Sequence, residues 1–371
     1  MIKPRIIVTS ATGKTGSVVV NELLKAGYPV RAMVHQEDGR SARLKAQGAE
    51  VVVADMSDVE RVVDALDDVQ RAYYCPPIDP YAIQGAVAFA IAARAARLEQ
   101  IVGMTQWLAS PSHPSLMTRQ HWLIDQLFSM TPGVAHTVIR PGFFADSYLL
   151  PIGLAAHLGM YPWIYGDSRT APPSNEDIAR VVAATLKNPA HHAGKSYRPT
   201  GPELLGAEDI AKAIGRAVGR SVRVLPTPVW LFMKAARMSG IPIDLFSNIR
   251  YYIEDHKQDA FALGAATTDV FDLTGRAAED FETIARRYAA QPRNQRTLSN
   301  WLREFAQFMI APVIPGFNFG RHDRELRRPL PSAPCFSVES VVWRDEHNIT
   351  EATSASDPSR NKAIPFMRRK A

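Results

Sequence analysis

Cysteine is scarce in this 371-residue chain, which contains only Cys75 and Cys335. Two cysteines so far apart in sequence exclude a disulfide framework, so a reducing cytoplasm is the expected setting. Long apolar runs are also missing, and none approaches the roughly 20 residues of a membrane-spanning helix. The first strand pattern begins at Arg5, which leaves no room for a signal peptide. We therefore expect a cytoplasmic protein without a membrane span.

Metal-ligand clusters and nucleic-acid-binding motifs are missing as well. His191 and His192 are adjacent, so their side chains diverge, and no cysteine or acidic cluster completes a metal site. The net charge is +6, and residues 291–371 account for +5 of it, with 13 Lys/Arg against 8 Asp/Glu. A basic tail can contact nucleic acid or anionic lipid, but no helix-turn-helix, zinc-finger or RNA-binding signature accompanies it. We expect no metal and no nucleic-acid partner.

What the sequence does contain is a regular alternation of strand and helix patterns over residues 1–145. Strands rich in Val and Ile alternate with amphipathic helices, which indicates a parallel, doubly wound sheet of Rossmann type in an α/β fold. The predicted strands are 5–9, 30–34, 50–54, 70–75, 100–104 and 135–139, and the predicted helices are 14–26, 40–47, 58–66, 80–98 and 116–129.

After Pro141 the pattern changes to a stretch rich in Gly, Pro and aromatics, followed by scattered helices and short strands. We predict helices at 175–187, 207–218, 228–239, 278–290 and 296–310, and short strands at 195–199 and 222–224. The helix at 296–310 has an apolar stripe that suits a lid, a dimer contact or a membrane-surface element.

The chain is accordingly divided into three parts. We predict an NAD(P)-binding domain over 1–145 and a smaller α+β substrate region over 146–315 that is interleaved with it. Residues 316–371 are predicted to form an extended, basic, Pro-rich tail, which from residue 320 is poorly ordered or dependent on a partner.

The most informative motif is the turn after the first strand, Ser10-Ala11-Thr12-Gly13-Lys14-Thr15-Gly16. A strand, a small-residue turn and a helix N-terminus together form the geometry that holds a pyrophosphate. Gly13 lets the backbone approach the phosphates, and Gly16 lets the helix pack closely on the sheet. Lys14 and Thr15 lie in the first helical turn, where the N–H groups favour an anion. Ser10 stands where the first glycine of the fingerprint usually stands, yet the context predicts a dinucleotide site.

The end of the second strand bears on the choice between NAD and NADP. An acidic residue there binds the ribose 2′-hydroxyl of NAD, but this strand ends in Val34-His35-Gln36, with Arg31, Arg40 and Arg43 nearby. These residues favour a 2′-phosphate, and hence NADP(H) over NAD(H). The alternative is that Arg40 and Arg43 only form the solvated face of the next helix.

The other predicted cofactor contacts follow the carboxyl ends of the remaining strands, because the crevice of such a sheet lies at that edge. Asp55 can accept from the adenine amino group, and Thr105 and Gln106 lie by the nicotinamide. Cys75 is interpreted as a small core residue rather than a nucleophile. The predicted contacts are Asp55, Met56, Pro76, Thr105, Gln106 and Pro141.

These residues together resemble the NmrA-like family, the atypical branch of the short-chain dehydrogenases. The resemblance covers roughly residues 3–290. It implies an NAD(P)-binding Rossmann domain with a substrate cleft against the C-terminal region. The motifs that carry it are the turn at 10–16, Val-Arg-Ala-Met-Val at 30–34, Asp-Met-Ser-Asp at 55–58, Ile-Arg-Pro-Gly-Phe-Phe-Ala-Asp at 139–146, Glu-Asp-Ile-Ala at 176–179 and Gly-Lys-Ser-Tyr-Arg-Pro-Thr-Gly-Pro-Glu at 194–203.

The resemblance also indicates where the chemistry takes place. Reductases of this family often carry a lysine near the start of one helix, four residues before an acid. Here Asp125 is similar to that acid, His121 occupies the lysine position, and a Tyr-x-x-x-Lys pair is missing. A histidine can donate a proton near neutral pH. We therefore predict His121 as the proton donor, assisted by Thr105, the alternative being a helix-surface histidine.

Members of this family are either NAD(P)H-dependent reductases or dinucleotide-binding regulators. We expect a reductase that transfers hydride to a hydrophobic conjugated or aromatic small molecule of the quinone, enone, imine or phenolic type. The alternative is a non-catalytic NAD(P)-sensing regulator of the NmrA type. We allow for a homodimer. Aromatic side chains that form either the substrate pocket or plain core are Trp107, Phe143, Phe144, Trp163 and Tyr165.

Overall fold

The computed structural model describes residues 3–328 and 330–349. The strands in these ranges are β1 Ile6–Val8, β2 Val30–Val34, β3 Glu50–Val53, β4 Arg71–Tyr74, β5 Gln100–Met104, β6 Ala135–Ile139, β7 Met160–Trp163, β8 Ser196–Tyr197 and β9 Arg223–Pro226.

Helices of the first half follow the predicted positions closely, and those of the second half are more numerous than predicted. The helices in the described ranges are α1 Lys14–Lys25, α2 Gly39–Ala46, α3 Val59–Ala65, α4 Ala82–Ala95, α5 Leu116–Ser129, α6 Ala145–Tyr148, α7 Ile152–Leu158, α8 Asn175–Lys187, α9 Pro189–His192, α10 Ala207–Val218, α11 Val229–Met238, α12 Ile243–Ile249, α13 Tyr252–Lys257, α14 Asp269–Thr274, α15 Phe281–Ala289, α16 Leu298–Ile310, α17 Phe319–Glu325 and α18 Val341–Glu346.

The main sheet has the strand order β3-β2-β1-β4-β5-β6-β8, and every neighbouring pair runs parallel. Successive residues of a strand face opposite sides. Ile6 and Val8 therefore pack with α1 and α8, whereas Ile7 packs with α3, α4 and α5. The chain reverses its direction of travel across the sheet between β1 and β4, the point at which doubly wound sheets bind ligands. The predicted Rossmann-type fold is confirmed.

The second half of the chain returns to this sheet. The strand β8 adds to the edge beside β6, and α8 packs in the same apolar cluster as α1. Two further strands, β7 and β9, form a separate parallel pair. The strand β7 was not predicted, since its Met-Tyr-Pro-Trp sequence lacks the alternation by which a strand is recognised. The exact boundaries of the three predicted parts stay a prediction.

Residues 335–349 are packed against the rest of the molecule. Trp343 in α18 is completely buried, in a cluster with Trp107, Leu108, Tyr252 and Phe261. The expectation of poor order from residue 320 is therefore wrong for this stretch, because a large apolar side chain fixes it to the core. The predicted tail beyond Ile349 lies outside the described residues. No helix among those described is long and apolar enough to cross a membrane.

Candidate cofactor and catalytic site

The turn after β1 has the conformation of the dinucleotide fingerprint although its first glycine is replaced. Ser10 has φ of 49°, in the left-handed region that glycine normally occupies. Its carbonyl accepts from the Gly13 N–H at 2.9 Å, and its Oγ donates to the carbonyl of Cys75 at 2.9 Å. The serine therefore closes the turn as a glycine does, and its hydroxyl ties the turn to the strand β4.

The two glycines of this turn are required by space. A Cβ at Gly16 would lie 2.3 Å from the carbonyl oxygen of Ser10, and one at Gly13 would lie 3.0 Å from the same atom. Gly13 is the N-cap of α1 and provides no side-chain acceptor, so the first N–H groups of the helix remain for a ligand. The donor set and the positive helix end fit a pyrophosphate.

Lys14 and Thr15 connect this turn to the second half of the chain. The ammonium of Lys14 lies 2.5 Å from Asp146 Oδ2, and the lysine side chain is 67% exposed. The hydroxyl of Thr15 donates to Asn175 Oδ1 at 2.7 Å, at the start of α8. The hydroxyl of Thr15 is therefore committed to fixing α8 against α1, and the contribution of Thr15 to a phosphate site is its backbone N–H. Thr12, in the same turn, is half-buried.

The ribose end of the crevice is exposed. His35 follows β2 and lies close enough to Asp55, which follows β3, for its charge to lower the pKa of that carboxyl. The first cause of the lowered Asp55 pKa is the backbone N–H of Ser57, which donates to it at 2.8 Å. Arg40 pairs with Asp38, the N-cap residue of α2, with 2.7 Å between Arg40 Nη2 and Asp38 Oδ2. His35 and Asp55 thus lie together at the predicted adenosine end, and Arg40 stands at the start of α2, the helix that follows β2.

Arg31 does not belong to this group, contrary to the expectation from sequence. Its guanidinium is buried and donates to the carbonyls of Ala65 and Asp67 at 2.9 and 2.6 Å. A second nitrogen lies 2.9 Å from Glu50. Arg31 is the second residue of β2, at the amino-terminal end of the strand, whereas the crevice lies at the carboxyl end. Its role is to fix the loop between α3 and β4.

Met56 and Pro76 lie in the loops after β3 and β4, at the carboxyl edge of the sheet. Pro76 is buried, and Met56 is half-buried against Gly85 of α4, where an added Cβ would lie 3.3 Å from the Met56 Cβ. Burial raises the pKa of the Cys75 thiol to about 11, so the thiol is neutral and a poor nucleophile near pH 7. The structure supports the interpretation of Cys75 as a packing residue.

Thr105, Gln106 and Pro141 meet where β5 and β6 end. The Thr105 N–H donates to the carbonyl of Ile139 at 2.9 Å, and the Trp107 N–H donates to that of Pro141 at 2.9 Å. The ladder between the two strands therefore continues into both loops. Gln106 Oε1 accepts from Tyr252 OH at 2.6 Å, which joins the loop to α13.

A buried acid lies beside this junction. Asp125 of α5 is 4% exposed, and its Oδ2 is 3.8 Å from Arg140 Nη2, at the end of β6. Burial raises the pKa of Asp125 to about 7, against the lowering effects of Arg140 and Thr105. Asp125 Oδ2 and Arg140 Nε are buried without a hydrogen-bond partner that meets distance and angle criteria among the described residues, and the Thr105 hydroxyl faces Asp125. These three residues, called here the catalytic cluster, are therefore equipped to bind and protonate a polar atom of a ligand.

His121 lies one turn before Asp125 on α5. Burial lowers the pKa of His121 to about 4, so its imidazole is neutral at physiological pH. Its Nδ1 has no partner among the described residues. The predicted role as proton donor requires the imidazolium form, which this environment disfavours.

The aromatic residues predicted to line a substrate pocket separate into two groups. Phe143 contacts Tyr148, Tyr165 and Phe261 edge-on or tilted, with ring centroids 5.2 to 6.3 Å apart. Trp163 joins this group through Tyr165 at 5.0 Å. Phe144 packs instead with the cluster of β1, α1 and α8.

Trp107 is covered by three segments from the second half of the chain. The Arg198 guanidinium lies 3.5 Å above its ring, and its Nε1 donates to the carbonyl of Ala260 at 2.7 Å. The rings of Trp343 and His347 lie 5.3 and 4.3 Å away. Sequence reasoning missed Arg140, Arg198 and α18; the apolar residues Phe336, Val338, Val341, Val342 and Trp343, close together in a tail otherwise rich in charge and proline, were the signal for the last.

The comparisons with known proteins agree with this fold. The profile of the NmrA-like family matches residues 2–102. An NAD(P)H azoreductase of Xenophilus azovorans is 29% identical over 286 residues, which cover 77% of this chain and 98% of the relative.

Solved structures show the same fold. An NADPH-dependent quinone oxidoreductase of Escherichia coli, crystallised with NADPH, superposes with a TM-score of 0.67 at 22% identity, over 76% of this chain and 99% of that one. NmrA, a negative transcriptional regulator crystallised with NADP, superposes with a TM-score of 0.64 at 18% identity, over 77% and 95% of the two chains. The matching profile over residues 2–102, the shared fold and the glycine turn after β1 make this chain similar to the NmrA-like family.

Proposed function

We propose that this protein is an NAD(P)H-dependent reductase of a hydrophobic conjugated or aromatic small molecule. The observation that carries the proposal is the catalytic cluster, which lies at the carboxyl ends of β5 and β6 on the same edge of the sheet as the dinucleotide turn. The similarity to an enzyme named NAD(P)H azoreductase, over nearly the whole length of that enzyme, supports a reductase.

The nicotinamide dinucleotide supplies the hydride when it is bound. The N–H groups at the start of α1 hold the pyrophosphate, because Gly13 leaves them without a side-chain acceptor. Asp55 accepts from the adenine amino group. His35 and Arg40 face the ribose, where they favour a 2′-phosphate, and this arrangement supports NADP(H) over NAD(H).

Asp125 supplies the proton in this proposal. A general acid works best when its pKa lies near the operating pH, and burial brings the pKa of Asp125 to about 7. Near pH 7 a large fraction of the carboxyl therefore carries a proton, whereas the imidazole of His121 does not. The hydroxyl of Thr105 orients the substrate atom that receives the proton, which is the oxygen of a carbonyl or the nitrogen of an imine or azo group.

The test is a panel of quinones, enones, imines and azo compounds assayed by NADPH oxidation. For a substrate that is turned over, we expect Asp125→Asn to lower kcat/KM by about 10²- to 10⁴-fold and His121→Ala to have a much smaller effect. The wild-type kcat/KM should fall above pH 7 as the acid loses its proton. A large loss of kcat/KM in His121→Ala with little loss in Asp125→Asn would identify His121, and not Asp125, as the proton donor.

The second candidate is a dinucleotide-sensing regulator, and one observation favours it. Trp107 and Phe143, predicted to line the substrate pocket, are packed against α13, the loop at Phe261 and α18. If no member of the panel is reduced, and NADPH and NADP bind with similar affinity in calorimetry, the sensor is supported and the reductase is not. The cytoplasmic location and a homodimer stay predictions.

A further inference from the structure

The carboxyl-terminal segment 335–349 lies across the loop that follows β5. Cys335 N–H donates to the carbonyl of Ser112 at 3.0 Å. Ser337 Oγ donates to the carbonyl of Leu108 at 3.1 Å, and Trp343 Nε1 donates to that of Trp107 at 2.6 Å. All three acceptors are backbone carbonyls of the loop that follows β5. They place α18 directly over the end of β5, two residues after Thr105.

Glu346, the last residue of α18, lies against α5. Its Oε1 accepts from Trp122 Nε1 at 3.1 Å and from Gln126 Nε2 at 3.2 Å. Its Oε2 is 4.0 Å from Arg140 Nη2. That same guanidinium nitrogen is the one 3.8 Å from Asp125 Oδ2. Two carboxyl groups therefore share one guanidinium, and one of them comes from the carboxyl-terminal segment.

The charge balance of this group depends on Glu346. Beside Arg140 alone, the carboxyl of Asp125 would be stabilised as an anion. A second carboxylate on the same guanidinium offsets that effect and adds repulsion of its own. Glu346 is 26% exposed and Asp125 only 4%, so Glu346 is the member that carries the charge at lower cost.

We propose that Glu346 is a positioning residue for the reduction: from the carboxyl-terminal segment it engages the same guanidinium nitrogen of Arg140 that faces Asp125, and thereby weakens the attraction between Arg140 and the carboxyl of Asp125. The catalytic meaning of this inference rests on the proposed function, whereas the electrostatic relation between the three residues does not.

The surrounding groups are few. Burial is the largest cause of the raised pKa of Asp125; Arg140 at the end of β6 and Thr105 at the end of β5 lower that pKa, and Glu346 from α18 adds a smaller effect that raises it. His121 lies one turn earlier on the same helix, and burial keeps it neutral near pH 7. His347, next to Glu346, is also held neutral, since burial lowers its pKa to about 3. Glu346 is thus the one anion from α18 that faces this acid among the described groups.

The test is a carboxyl ¹³C NMR titration of the full, cofactor-free chain, with Asp125 assigned from the Asp125→Asn spectrum. Glu346→Gln retains an oxygen that accepts from Trp122 and Gln126 but removes the charge. We expect the pKa of Asp125 to fall by roughly one pH unit in this variant. Glu346→Asp keeps the charge and should keep most of the elevation. Glu339→Gln, on the same segment but bonded to Phe336 N and Gln258, should leave the pKa unchanged.

Hydrogen exchange of residues 336–349 in the same samples separates charge from burial. A lowered pKa with the segment still protected supports the proposal. An unchanged pKa overturns it, and so does a lowered pKa with the segment released, because exposure of Asp125 then explains the shift. The outcome is independent of turnover: if no substrate is reduced but the titration behaves as expected, the proposed function fails and the relation between Glu346 and Asp125 stands.

Discussion

The two ends of the crevice are built in opposite ways. The turn after β1 is local, since seven consecutive residues provide the strained corner, the close approach and the helix end. The catalytic cluster is assembled from β5, α5 and β6 and covered by α18, and Trp122 and Glu346 are 224 residues apart in sequence. A local motif can be recognised from consecutive residues of the sequence, whereas an assembled site depends on contacts between residues that are far apart in the sequence. The two ends should therefore respond differently to single substitutions.

The largest effect is expected at the assembled end, from Trp343→Ala. Removing this fully buried ring should cost about 3–5 kcal/mol of the free energy that holds the segment in place. Because the segment docks on a finished domain, we expect the loss to appear as fast hydrogen exchange over residues 336–349 rather than as a lower global stability. Trp230→Ala, on a ring that is 56% exposed, is the matched control. A global loss of stability with the segment still protected would contradict this view.

Gly16→Ala should disrupt the turn after β1. The new Cβ would meet the carbonyl of Ser10 at 2.3 Å, so the start of α1 must move away from the turn. We expect a loss of about 1–3 kcal/mol in the free energy of unfolding and about a tenfold or greater loss of NADPH affinity, measured by denaturation and calorimetry.

Gly39→Ala, at the start of α2, is the control for that substitution. A Cβ there meets nothing within 4 Å, and its φ is not in the left-handed region. Its stability and affinity should stay near wild type. Equal effects of the two substitutions would show that the close approach at Gly16 is not what matters.

The sequence predicted the local end and much of the sheet, because those depend on short patterns. Six strands and five helices of the first half were found from Val- and Ile-rich runs between amphipathic stretches. The error at Arg31 has a physical reason: closeness in sequence to the ribose site hid the fact that a strand separates its two ends by its own length. The position of the side chain in the strand, not its charge, decides which edge it serves.

The assembled end could not be predicted in the same way. Asp125 was noticed only as an acid in a family position, and its raised pKa follows from burial, which requires the finished core. Thr15 was predicted at the phosphate turn through the N–H groups of the first helical turn, and the bond of its hydroxyl to Asn175, 160 residues further along the chain, was not foreseen. Pairings at such separations are set by topology and packing, which a short stretch of sequence does not reveal. The docking of α18 was missed for a second reason, because the tail around it is rich in charge and proline.

A smaller effect is expected at the adenosine end, from Arg40→Ala. The guanidinium is 58% exposed and bonded to Asp38, so a contact with a 2′-phosphate would be screened by solvent. We expect the affinity for NADPH to fall about three- to fivefold and that for NADH to stay the same. Arg43→Ala on the same helix is the control. An equal loss for both cofactors would mean that Arg40 acts only through the cap of α2.

The smallest effect, and the closest test of the local end, comes from a pair of substitutions at Ser10. In Ser10→Ala the left-handed φ is kept and the hydrogen bond to the Cys75 carbonyl is lost, which should cost about 1 kcal/mol. In Ser10→Gly the same bond is lost, but the strain of about 1–2 kcal/mol that an L-residue carries in this region is relieved. The greater conformational freedom of glycine in the unfolded chain lowers the free energy of unfolding by roughly 0.5–1 kcal/mol. The glycine variant should therefore be close to wild type in thermal unfolding and in NADPH affinity, and the alanine variant less stable than both. If glycine destabilises as much as alanine, the hydroxyl rather than the backbone conformation maintains the turn, and Ser10 is then a specific feature of this chain and not a substitute for the missing glycine.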